Sequence, residues 1–368
     1  MPFDEPIFFA PNRVWRCYTG GALLDRFVGA PAEADGHMPE DWLASTVRAL
    51  NAENSQGPDE GLARTLPADG SAGPLLAELV GARAEGLFGP DHVGRFGRNM
   101  ALLCKYLDSA VRLPIQCHPD AATARRLYGS PFGKTECWHI VDTRPVGGQA
   151  PYLLMGFRPG VTRAAFAAAV AKQDVAAMEA MLHKLPARPG ETYFVPARLP
   201  HAIGPGVFMI EVQEPSDWVV QPERYCADTR LSDAAMWGGL PPDQGLDVFD
   251  YTGMTEADLR ARVAPRESIV AKEPGGLVAE IIGPHLTPAF ALWQAEIRGT
   301  LRVALPRAFG LVVVTAGRGA IAWDGGERPI RRGQYFLQPA GVKSIRYTAE
   351  EPMTLAIGLP PAPAGRGP

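Results

Sequence analysis

The sequence predicts a mainly β chain with helical insertions, arranged as two double-stranded β-helix barrels of which the second is degenerate. Three observations predict it. The 40 glycines and 36 prolines of the 368-residue chain are spread throughout, a density of breakers suited to many short strands joined by turns. Strand-like runs recur at residues 99–118, 136–142, 192–196, 206–213, 277–282, 311–323 and 352–358. A short unit also occurs twice, as GETYFVPARLPHAI at 190–203 and GQYFLQPAGVKSI at 333–345.

In each copy a glycine opens a turn, an apolar strand follows, and a proline ends it where the next strand begins. Pro196 and Pro339 fall at the same offset from Gly190 and Gly333, each followed by alanine. His201 in the first copy corresponds to Ser344 in the second, so the first barrel keeps a histidine that the second lacks. Chance similarity of two strand-turn units is the simpler alternative.

Along the chain, residues 51–73 are rich in Asn, Ser, Gly, Pro and Asp and read as a surface loop. Residues 72–87 and 162–185 are rich in alanine and leucine with apolar positions at helical spacing, and read as helical insertions. Near 230–245 the run WGGLPPDQG interrupts the pattern, which places a catalytic domain at 1–235 and a second domain, without a metal site, at 236–368.

Composition limits the function. With 46% hydrophobic and 21% charged residues the chain can bury a sizeable core. A net charge of −4 without a basic segment argues against nucleic acid as partner. No apolar run approaches the roughly 20 residues that cross a bilayer, and the acidic, proline-broken start is no export signal, so no membrane partner and a cytoplasmic location are expected. Five cysteines without CxxC spacing are expected to be reduced, with Cys117 and Cys137 as packing residues. A small-molecule partner fits best; the sequence gives no oligomeric state.

Chemistry concentrates in four places. In LPIQCHPD, Gln116 and His118 are two residues apart, so an extended strand turns both to one face. GKTECWHI adds Glu136, with Lys134 and Trp138 on its face, and His201 completes two imidazoles, a carboxylate and an amide. Such thiolate-free sets suit zinc and related ions and keep a position open for substrate. Taken singly, the amide is a weak ligand and each histidine is more simply a hydrogen-bonded one. His37, His92, His139, His183 and His285 have no matching context, and Trp42, Trp138 and Trp218 read as packing residues.

These motifs resemble the type I mannose-6-phosphate isomerases of the cupin superfamily. The resemblance rests on PEDWLAS at 39–45, LLCKYLDS through IQCHPD at 102–120, FGKTECWHIVD at 132–142 and GETYFVPARLPHAIGPGVFMIEVQEPSD at 190–217, and the second copy of the repeat matches that family's degenerate second barrel. It implies one zinc ion on Gln116, His118, Glu136 and His201, active-site lysines at Lys105 and Lys134, and an active-site glutamate at Glu211. Without it, the lysines read as exposed charges and Glu211 as a structural hydrogen-bonding group.

Two departures concern the substrate. Pro114 stands where the family has a phosphate-handling serine, and Gln221 where it has a catalytic arginine, the next arginine being Arg224, three residues on. An odd shift reverses strand facing, so Arg224 reaches the site only through a bulge or loop. The expectation is a zinc-dependent aldose-ketose isomerase acting through an enediol on a sugar or sugar phosphate, with Lys134, Glu211, Lys105 and Arg224 as catalytic candidates. An isomerase of an unphosphorylated or modified sugar, or a non-catalytic metal-containing sugar-binding cupin, are the alternatives.

Overall fold

The protein is described by a computed structural model covering residues 3–51 and 54–362. Strands dominate and fall into two main sheets. The first is six-stranded, in spatial order Arg13–Val14, Glu40–Leu43, Leu103–Ser109, Val207–Gln213, Glu136–Thr143 and Thr192–Val195. A three-stranded sheet of Leu182–Pro186, Tyr152–Phe157 and His201–Ile203 accompanies it.

Period-two alternation decides what each face of the first sheet does. Leu107, Met209, Trp138 and Ile140 point inward and pack with Leu153, Met155, Leu185 and Ile203 of the small sheet, which makes the barrel interior. Cys104, Tyr106, Phe208, Ile210, Val212 and Cys137 point outward. They pack on Leu292, Leu311, Val313 and Leu337 of the second main sheet. The six-stranded sheet is therefore buried on both sides, and a polar residue on its inner face needs a partner. All five cysteines are free, and Cys117 and Cys137 are fully buried packing residues.

The second sheet is nine-stranded, running Ile7–Phe8, Tyr335–Gln338, Gly310–Trp323, Ser344–Leu359, Ala291–Ile297, Gly276–Ile282 and Ser268–Glu273, with Thr300–Ala304 and Gly326–Arg331 branching from it. It has its own apolar core, including Trp293, Val312, Phe336, Tyr347 and Ile357. The repeat read from sequence is structural: Gly190 and Gly333 adopt φ of 86° and 85°, and each precedes a four-residue strand ending at its proline. His201 and Ser344 each begin the strand that follows. A positive φ at both turns is the reason for glycine there.

The helices are short. Leu76–Phe88 falls within the first expected insertion and extends one residue beyond it. Arg163–Lys172 and Val175–Ala180 fall in the second, whose last residues form the strand Leu182–Pro186 instead. Leu182 and Leu185 alternate into separate cores, so tertiary packing overrides the alanine-rich helical signal beside them. Met236, Trp237, Leu246 and Phe249 pack with Ile115, Cys117 and Phe157, and Leu259 and Val263 pack with the barrel interior. We propose on this ground that a division of the chain into two domains falls after Val263. No helix among the described residues is long and apolar enough to cross a membrane.

Phe208 is fully buried between the sheets, with its ring centroid 5.1 Å from Phe27 and 5.9 Å from Tyr106. Phe208→Ala is expected to cost about 3–5 kcal/mol, read as a lower urea midpoint with unchanged slope; an unchanged midpoint contradicts the two-sided burial.

Candidate metal centre and active site

The inner face of the six-stranded sheet carries one continuous row across five strands: Trp42, Lys105, Glu211, Trp138 and Tyr193 are successive cross-strand partners. Glu136 lies two residues from Trp138, one row over, opposite Gln213. Flanking these on the other side are Leu107, Met209 and Ile140. Charged groups thus sit within an apolar barrel, and the register alone brings Lys105 beside Glu211.

A second set of ligands arrives on irregular chain. Gln116 pairs with His201 in an isolated antiparallel bridge, each N–H donating to the other's carbonyl at 2.8 and 2.9 Å, so their side chains share a face. The approach to Gln116 is fixed by Glu223, which accepts the Ile115 N–H at 2.6 Å and two guanidinium bonds from Arg112. Lys134 is held likewise, because Glu214 accepts the Gly133 and Thr135 N–H groups on either side of it.

His118, Glu136 and His201 converge, with candidate ligand atoms all within 4.8 Å of one another and each residue about 1% exposed. Both imidazoles turn Nδ1 to a backbone carbonyl, His118 to Trp218 and His201 to Leu199, each at 2.8 Å. Nε2 is thereby left facing Glu136, at 3.2 Å for His118 and 3.9 Å for His201. Burial pushes both imidazoles below their usual range, with Lys134 adding to it at each, which favours their neutral form. The Nε2 of His201 is buried without a hydrogen-bond partner. Two neutral Nε2 atoms oriented by backbone carbonyls around a carboxylate are a donor set that fits a divalent metal.

Around this cluster, cations and carboxylates alternate. Lys134 Nζ is 2.9 Å from Glu136 Oε1, and Lys105 Nζ is 3.1 Å from Glu211 Oε1 and 3.8 Å from Glu40 Oε2. The Trp138 indole N–H lies between Glu136 and Glu211, 3.1 and 3.2 Å from their Oε2 atoms. Burial opposes ionisation of Glu136, but the Lys134 ammonium against it outweighs that and holds the carboxyl well below the usual range. Glu211 goes the other way: burial and the nearby Glu136 push it up, with Lys105 only partly compensating. Burial likewise opposes ionisation of Glu40, yet Arg16 and Lys105, with bonds from the Tyr18 hydroxyl and Trp42 indole, bring it down to about 2.

A cavity of about 510 Å³ opens onto this row, lined by Glu40, Lys105, Gln116, Lys134 and Glu211 at its buried end. Seven of the eight sequence candidates therefore come together: His118, Glu136, His201, Lys134, Lys105 and Glu211 through the contacts above, and Gln116 by its bridge to His201. Arg224 does not join them. Its guanidinium pairs with Asp233 at 2.6 Å and it is absent from the cavity wall, because the loop after Gln221 turns it outward. Pro114 and Gln221 do line the cavity.

Three participants escaped the sequence reading. Glu40 lay within PEDWLAS, where a carboxylate two residues before a buried tryptophan was the available signal. Arg16 and Tyr18 gave none, since Arg16 pairs with Asp217, 201 residues away. The unassigned histidines His37, His92, His139 and His183 each bond a backbone carbonyl or a threonine hydroxyl, as structural histidines do.

No family model matches the chain. Curated relatives do. The chain is 26% identical over 352 residues to a Bacillus subtilis protein named "Probable mannose-6-phosphate isomerase GmuF", covering 94% of this chain and 98% of that protein. It is 26% identical over 356 residues to the mannose-6-phosphate isomerase of Streptococcus mutans, covering 94% and 96%. The fold matches the crystal structure of the Bacillus subtilis mannose 6-phosphate isomerase with a TM-score of 0.74 at 23% identity, over 96% of this chain and 99% of that one. The resemblance read from four motifs thus extends over nearly the whole chain.

The Glu40 carboxyl, brought from 4.5 to about 2 in the folded state, contributes stability above pH 4.5 that is lost as pH falls toward 2. By linkage this is about 3 kcal/mol. Glu40→Gln is expected to be less stable at pH 7 and to show a shallower acid limb between pH 5 and 3, measured by urea denaturation; parallel limbs contradict the ion-paired assignment.

Proposed function

We propose that this chain is a metal-dependent aldose-ketose isomerase of the mannose-6-phosphate isomerase family, interconverting mannose 6-phosphate and fructose 6-phosphate or a closely related hexose 6-phosphate pair. The observation that carries it is the buried cluster of His118, Glu136 and His201 directly behind a cavity whose inner wall presents Lys134 and Glu211. Nearly full-length similarity to proteins named for that activity supports it.

The reaction moves one proton between C2 and C1 and another between the two oxygens, through an enediol. A base and acid with pKa values near neutrality serve it best. Glu211 has the required environment, its carboxyl raised by burial and by Glu136 and steadied by Lys105. We assign it the carbon-bound proton, with Lys134 placed to donate to a sugar oxygen. Among divalent ions the imidazole and carboxylate donors favour zinc, held by His118, Glu136, His201 and Gln116. Such an ion would supply Lewis acidity to the sugar oxygens.

A second reading has its own support. Pro114 offers no hydroxyl and Gln221 no charge, yet both line the cavity, which favours an unphosphorylated or modified sugar.

With zinc supplied, the protein is expected to convert fructose 6-phosphate to mannose 6-phosphate in a coupled assay and to lose this on chelation. Glu211→Gln is expected to lower kcat by about 100-fold or more with metal content unchanged, whereas His201→Ala is expected to lose the metal itself. Turnover of free fructose alone would establish the second reading, and no turnover of either sugar by the zinc-loaded protein would refute the isomerase assignment.

A further inference from the structure

A sugar phosphate needs a cation for its phosphate, and the groups most available by sequence are missing or turned away. Four cations line the cavity: Arg16, Lys105, Lys134 and Arg230. Three are already neutralised. Arg16 lies between Glu40 at 3.1 Å and Asp217 at 3.3 Å, Lys105 between Glu211 and Glu40, and Lys134 against Glu136. Arg230 alone of the four has no ion pair among the described residues, and its residue is exposed.

Position agrees with charge. The cavity runs from the buried Glu40, Lys105, Lys134 and Glu211 to an exposed rim that includes Asn54, Ser55 and Arg230. Carbons 1 and 2 of the sugar belong at the inner end, beside Glu211 and Lys134, so a phosphate on C6 extends toward the rim. A dianion there keeps much of its hydration, whereas burial would cost it heavily.

Arg230 is also held in place. It ends the hairpin of Tyr225–Cys226 and Thr229–Arg230, in register with Tyr225. His37 reaches Asp228 at the hairpin tip at 3.3 Å, and the Leu231 N–H donates to the Arg224 carbonyl at 2.9 Å. Arg224, tied to Leu231 and to Asp233 at the start of the helix Asp233–Trp237, therefore acts on the segment that follows Arg230 and not on the sugar.

We propose that Arg230 is the phosphate-recognising, specificity-determining residue of this site, its guanidinium taking the substrate's phosphate at the cavity rim in place of the absent serine and arginine. The proposal rests on the sugar-phosphate reading above. A planar fork matches phosphate oxygens in pairs, which lysine does not.

The test uses the full-length, zinc-loaded protein and its Arg230→Gln and Arg230→Lys variants, with calorimetric binding and steady-state kinetics for fructose 6-phosphate and for fructose. For Arg230→Gln, the dissociation constant and KM for fructose 6-phosphate are expected to rise about 10- to 100-fold, with kcat reduced far less. Arg230→Lys is expected to recover part of the affinity, and fructose binding to be no weaker than in the unaltered protein. Equal affinity of the unaltered protein and Arg230→Gln for fructose 6-phosphate overturns the proposal, as does an equal loss for both sugars, which would mark a structural role. Arg230-dependent binding without turnover would support this assignment and refute the isomerase one; turnover independent of Arg230 would do the reverse.

Discussion

Charge neutrality in a place that water barely reaches is the constraint on which the rest depends. The inner face of the six-stranded sheet must hold Glu136, Glu211, Glu40, Lys105 and Lys134, all buried, beside Arg16. Alternation of sign along the row Arg16, Glu40, Lys105, Glu211, and again at Lys134 and Glu136, is the arrangement that makes this tolerable. Buried ion pairs seldom stabilise a fold relative to apolar packing, because desolvation consumes the Coulombic gain. A row this polar, between layers of Leu107, Met209 and Ile140 and of outward-packed Tyr106 and Phe208, points to chemistry as its reason.

The same constraint divides the carboxyls by role. Glu136 has the Lys134 ammonium against it and stays ionised, which suits a ligand. Glu211 has one ammonium and a neighbouring carboxylate, so its proton affinity is raised toward the range where a group can both take and give a proton. The shared Trp138 indole N–H joins them at near-equal distances, and fixes the geometry between ligand and base.

Much of this was legible in the sequence, for identifiable reasons. Gln116 and His118 at period two announce a shared face, although their chain forms only isolated bridges and not the expected strand, while Glu136 with Trp138 announces a true strand and the glycine and proline offsets of the repeat announce both turns. Arg224, which the spacing admits to the site only through a bulge or loop, stays outside it, because the chain after Gln221 runs into a hairpin that places Arg230 on the cavity wall. Residues 182–185 carry a helical signal from the alanines beside them, yet they belong to a strand because the partners of their two leucines lie elsewhere in the chain. Arg16 and Asp217 were beyond any local pattern, since their pairing spans most of the first sheet's sequence.

The site's chemistry depends on the convergent imidazoles and carboxylate holding the metal. Zinc-edge anomalous scattering from crystals of the zinc-loaded protein tests this most directly. One ion per chain is predicted, with His118 Nε2, His201 Nε2 and Glu136 among its donors at about 2.0–2.2 Å and Gln116 beside them. Zinc bound elsewhere on the chain, with the Glu136 and Lys134 ion pair undisturbed, would contradict it.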